Sequence, residues 1–147
     1  MERSLLEKLV TEIQRYQNKD FLKAAMAVCA LSANADDEVN LPERYSIDHA
    51  IANEPALRLF DAGKAIRILD DYLFALRHEG DSAKQVLYKK VRRMAGDHKR
   101  SRTLMRVAYL VITADHEIGD EEKREFDRLC VLLQLEPDQV WRESALR

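Results

Sequence analysis

The stretch Ala25-Met26-Ala27-Val28-Cys29-Ala30-Leu31-Ser32-Ala33-Asn34-Ala35-Asp36-Asp37-Glu38-Val39 returns, altered but in register, as Leu104-Met105-Arg106-Val107-Ala108-Tyr109-Leu110-Val111-Ile112-Thr113-Ala114-Asp115-His116-Glu117-Ile118. Met, Val, Leu, Ala, Asp and Glu coincide at a constant offset of 79, and the register runs on without a gap to Glu43 over Glu122 and Arg44 over Lys123. Each unit reads as an apolar helix, an Ala-Asp-x-Glu-(Val/Ile) turn, and a second helix whose Glu stands seven positions after the Asp. Two such units, spanning about residues 20–53 and 99–133, predict helical hairpins related by a pseudo-two-fold, with their acidic turns close in space.

The remaining segments agree with an all-α fold of seven to eight helices. Residues 2 to 17 place Leu5, Leu6, Leu9, Val10, Ile13 and Tyr16 on one helical face. Asn40-Leu41-Pro42-Glu43 has the cap, the early proline and the third-position carboxylate of a helix start, and Pro55 stops that helix by about Asn53. A helix from Asp61 to Arg77 ends at Gly80, Asp81 caps a further one running to about Ala95, and Pro137 opens a short terminal helix with Trp141 anchored on the core. Only 4 Gly and 3 Pro occur in 147 residues, which argues against turn-rich β folds and Gly-rich nucleotide loops. No segment is a credible linker, so residues 1–147 are read as a single domain.

Asp36, Glu38 and Glu43, with Asp115, Glu117 and Glu122, put three hard oxygen donors around each turn. That chemistry suits Ca²⁺, Mg²⁺ or Mn²⁺. The calcium-loop template does not fit: it would require glycine where Leu41 and Asp120 stand, and glutamate where Ile47 and Phe126 stand. The same carboxylates also suit helix capping, Glu43 and Glu122 at the third helical position and Asp36 and Asp115 on the turn amides. Both readings stand, because a capping carboxylate keeps one oxygen free.

The repeated Ala-Asp-x-Glu-(Val/Ile)-x-x-x-Glu turn, with Leu57-Arg58-Leu59-Phe60-Asp61 and the helix after it, resembles the tellurite-resistance TerB-like family, which includes the amino-terminal domain of DjlA-type co-chaperones. The resemblance covers about residues 20 to 137. It implies an all-helical fold with a pseudo-two-fold, an acidic surface formed by Asp36, Glu38, Glu43, Asp115, Glu117 and Glu122 able to take a divalent cation, and work in stress- or tellurite-resistance assemblies rather than enzymatic turnover. Where that family carries Gly between Asp and Glu, this chain has Asp37 and His116. Asp tolerates a positive-φ turn, His does so less often, and His116 offers either a nitrogen ligand or a solvated ring. The resemblance also supplies the alternative function, a co-chaperone-like interaction module whose acidic turns are only caps.

Net charge of −2 conceals a partition. From Lys84 to Arg106 there are nine Lys or Arg against Asp97 alone, a net +8, which leaves −10 for the rest. A basic face of that kind meets phosphate, an anionic surface or an acidic protein, or else is solvated and paired internally. Only Tyr88 interleaves with these cations, so nucleic acid is not the expected partner and a protein is. No nucleotide loop, nucleophile elbow, zinc-protease helix, CxxC or Glu-x-x-His pair occurs, and the expectation is a non-enzyme. Cys29 and Cys130 lie in apolar runs and read as buried thiols. The charged start of the chain is unlike a signal peptide and no apolar run is long enough for a membrane span, so the expected location is the cytoplasm.

Overall fold

The computed structural model describes residues 5–10, 18–36, 39–115 and 117–146, and every regular element among them is helical. Helix α1, Lys19–Ala33, is the axis of the molecule: all of it except Lys19, Asp20 and Lys23 is buried. Its alanines let neighbours approach closely, and α2 (Leu41–Asn53), α3 (Ala62–Glu79), α4 (Asp81–Arg92), α5 (His98–Ile112) and α6 (Asp120–Leu132) all pack against it. The short α7, Pro137–Ala145, lies on α5 and α6, where Trp141 meets Tyr109 and Phe126 edge-on at 4.9 Å each. The buried apolar side chains form one cluster with α1 and α5 at its centre.

Sequence period and helix position agree closely. Helices α1 and α5 are both 15 residues long and start and stop 79 positions apart, as do the 13-residue α2 and α6. The residues closing the two long helices share a conformation, Asn34 at φ −96, ψ 7 and Thr113 at φ −94, ψ 7.

Capping differs from expectation in two places. Asp81 is the first residue of α4 rather than its cap, because Gly80 at φ +54 both ends α3 and begins α4. Regular α geometry in α4 closes at Arg92, and the chain reaches Gly96, at φ +93, through bonds from Met94 to Val91 and Ala95 to Arg92 that tighten the last turn. Helix α6 ends in a left-handed residue, Gln134 at φ 61, after which Leu135 N–H bonds back to Cys130 C=O. Residues 5–10 are helical with Leu5, Leu6, Leu9 and Val10 exposed, and the rest of the predicted first helix, including Ile13 and Tyr16, lies outside the described residues. Both cysteines are buried free thiols, each pushed up to about 12 by burial. No helix among the described residues is long and apolar enough to cross a membrane.

Candidate functional site at the paired acidic turns

Helix α1 delivers the chain into the turn carrying Asp36, and α5 delivers it into the turn carrying Asp115. Between Asp36 and α2 stands Asn40, whose Oδ1 accepts from Glu43 N at 2.9 Å while Glu43 Oε1 accepts from Asn40 N at 3.1 Å, a closed capping box. Asn40 also reaches the other unit, its Nδ2 donating to Asp115 Oδ2 at 3.2 Å. Asp115 Oδ1 in turn accepts from Glu117 N at 3.1 Å, closing its own turn. The two acidic turns therefore touch, as the repeat implied.

The third-position carboxylates go deeper than caps usually do. Glu43 is 1% exposed and Glu122 6% exposed, and in each the Oε2 atom is buried without a hydrogen-bond partner. Both carboxyls are raised from 4.5 to about 7. For Glu43 burial is the largest cause, opposed by the Asn40 N–H and reinforced by the charges of Glu122, Asp36 and Asp115. For Glu122 burial again leads, followed by the charges of Asp36 and Asp115, with a hydrogen bond from the Gly119 backbone pulling the other way. Among the described residues, the side-chain charges that raise the two are carboxylates.

The structure thus brings Asp36, Glu43, Asp115 and Glu122 into one electrostatic neighbourhood. Glu117 stands exposed on the turn, and Glu38, Asp37 and His116 lie outside the described residues. The donors are hard oxygens, two of them buried and unpartnered, which fits a hard divalent cation or a proton held at neutral pH. Among the described residues, no three His, Cys, Asp or Glu side chains stand close enough together to hold an ion in their present positions.

A third buried carboxylate escaped the sequence reading. Glu125 on α6 is 3% exposed and accepts from the Tyr88 hydroxyl with both oxygens, at 3.0 and 2.9 Å. Arg128 Nη1 lies 3.2 Å from that hydroxyl and 3.3 Å from Glu125 Oε1. Burial raises Glu125 while Tyr88 and Arg128 oppose, and Tyr88 is itself pushed up to about 12. This triad ties α4 to α6, and nothing in the local pattern of the sequence marks it except the core-facing position of Glu125 beside Phe126.

The basic segment is partly absorbed by the fold. Arg93 pairs with Asp20 at 3.3 Å, Arg102 with Glu143 at 3.6 Å, Arg106 with Glu54, and Arg100 donates to Asn18. Lys89, Lys90 and Arg92 lie in the last turn of α4, where the helix dipole favours cations, and Lys90 is lowered by burial and by Lys23 and Arg93. His49 and His78 are exposed and face ring neighbours Tyr45 and Phe74 on their own helices.

Two helix–turn–helix units joined at their acidic turns, with α1 of the first as the axis on which α2 to α6 pack, define a class of small helical proteins. The chain belongs to the TerB family: residues 22–144 match the family model described as tellurite resistance protein TerB. It is also similar to a tellurium resistance protein TerB from an Alcaligenes species, 29% identical over 89 residues that make up 57% of this chain and 73% of that one. No solved structure matches.

Proposed function

We propose that this chain is a non-enzymatic module of tellurite- and stress-resistance assemblies that binds a divalent cation, Ca²⁺, Mg²⁺ or Mn²⁺, through its paired acidic turns. The observation that carries the reading is the pair of buried, unpartnered oxygens, Glu43 Oε2 and Glu122 Oε2, one from each unit and both under the charges of Asp36 and Asp115. A dication supplies the charge and the coordination that these oxygens lack. In this reading Asp36 and Asp115, whose charges act on the pair, complete the donor set by moving toward the ion, with Glu38 and Glu117 following them in the sequence of each turn. The non-enzymatic part of the reading is supported by the lack of any catalytic motif in the sequence. The link to tellurite resistance is supported by family membership and by the name of the Alcaligenes relative.

The test is titration calorimetry with each of the three ions on the wild type and on an Asp36→Ala/Asp115→Ala variant, helix content being followed by circular dichroism. Heat in the wild type that disappears in the folded variant is expected. Absence of heat in the wild type, or heat unchanged in the variant, removes the cation. A second reading then takes its place, a co-chaperone-like protein-interaction module, favoured by the closed capping box at Asn40 and Glu43 and the Asp115 turn, which give the acidic residues a structural task.

A further inference from the structure

Beside the acidic turns lies a cleft of about 590 Å³ between α2 and α5, walled by Leu41, Pro42, Tyr45 and His49 on one side and by Leu110 and Ala114 on the other. Ser46 donates its hydroxyl to Leu110 C=O at 3.0 Å, which fixes the two helices to each other along the floor. Leu41 is 84% exposed, Tyr45 73% and Leu110 43%. Neither helix needs these apolar groups for its own packing: α2 buries Ile47, Ala50 and Ile51 instead, and α5 buries Leu104, Val107, Ala108 and Val111. An apolar strip of this kind on a water-facing surface is the mark of an interaction site.

One end of the cleft has a definite electrostatic character. Leu41 directly follows Asn40, and Ala114 directly precedes Asp115, the two residues that join the acidic turns. The cleft therefore ends beside Asp115, which Asn40 holds, with exposed Glu117, Asp120 and Glu121 following in the chain. We propose that this cleft receives an amphipathic helix of a partner protein, its apolar face filling the space between Leu41, Tyr45 and Leu110 and its Lys or Arg side chains meeting the acidic turns. Spacing suits a helix, because the apolar strip between α2 and α5 offers anchors one turn apart on α2, Leu41 and Tyr45. Charge selects a basic partner and disfavours an anionic lipid surface, which these carboxylates repel. The inference goes beyond the cation reading and does not depend on it.

The experiment uses the full chain in EDTA, so that failure of cation binding leaves the result intact. A fluorescent leucine–lysine amphipathic helix and a leucine–glutamate helix with the same apolar stripe are titrated by anisotropy, and methyl NMR maps the bound peptide. The basic helix is expected to bind at least about tenfold more tightly than the acidic one, with shifts at Leu41, Leu110 and Ala114, and Leu41→Ala/Tyr45→Ala to weaken it about tenfold. Val131→Ala, at an exposed position on α6, leaves binding unchanged. Equal binding of both peptides, shifts elsewhere, or indifference to Leu41→Ala/Tyr45→Ala overturns the proposal. So does self-association of the chain, or binding to phosphatidylglycerol vesicles, that the same variant abolishes while no peptide preference is seen.

Discussion

Replacing Glu43 and Glu122 together by glutamine removes two buried ionisable groups while keeping their size and their capacity to accept the capping hydrogen bonds. Each carboxyl sits at about 7 in the folded chain against an ordinary 4.5. A folded value above the unfolded one means that the native state holds the proton more tightly. The contribution to stability is therefore fully present below pH 4.5 and is lost as pH rises through about 7. At about 1.4 kcal/mol per unit of displacement, ionising one of these groups within the fold costs roughly 3 kcal/mol. The two share the repulsion of Asp36 and Asp115, so the pair amounts to roughly 3 to 5 kcal/mol rather than a full doubling.

Urea unfolding followed by circular dichroism, in EDTA at pH 4.5 and pH 8, reads this directly. The wild type is expected to lose about 3 kcal/mol or more across that interval, and the Glu43→Gln/Glu122→Gln variant less than about 1 kcal/mol. A wild-type profile that is flat, or a variant that keeps the whole loss, would refute the reasoning and return both carboxylates to ordinary surface behaviour.

Tyr88→Phe leaves the buried Glu125 carboxylate without its hydroxyl donor and should destabilise by about 1 to 3 kcal/mol in the same assay; a change under about 0.5 kcal/mol would show that Glu125 is solvated. Cys29 and Cys130 are buried thiols raised to about 12, so Ellman's reagent at pH 8 should label neither in native protein and both in urea, and rapid native labelling would contradict their burial. Gly80→Ala puts a Cβ on a residue at φ +54 with open space around it, so backbone strain alone predicts a loss of about 1 kcal/mol in urea, and an unchanged midpoint would show that the α3–α4 junction adapts.

Much of the fold was legible because one signal was repeated. The 79-residue offset placed α1, α2, α5 and α6 where they stand, and local chemistry placed the cap at Asn40 and the stop at Gly80. Gln134 was not legible, since a left-handed cap on a residue other than Gly is set by tertiary context, here the return of Leu135 toward the core. Glu125 was not legible because its partner, Tyr88, is 37 residues away on another helix. The depth of Glu43 and Glu122 could have been read. Glu43 continues the stripe Ile47, Ala50 and Ile51, and Glu122 the stripe Phe126, Leu129 and Cys130, so each carboxylate occupies a position that the helical period assigns to the core.

That placement separates a capping role from a binding one by magnitude. A capping interaction contributes about 1 kcal/mol and uses one carboxylate oxygen. Ionising the same carboxylate in its buried setting at pH 8 costs roughly 3 kcal/mol, and the second oxygen of each remains without a donor. For a domain whose whole stability is of the order of 5 to 15 kcal/mol, two such groups on the core stripe are an imbalance that caps alone do not offset. Asn or Ser preceding an apolar third position would cap the helices without it. The imbalance is relieved by a proton at neutral pH or by a cation shared between the turns, and the two differ in one observable. A cation stabilises the wild type at pH 8 in proportion to the logarithm of its concentration, is removed by EDTA, and has no effect on the Glu43→Gln/Glu122→Gln variant, whereas a retained proton responds to pH alone.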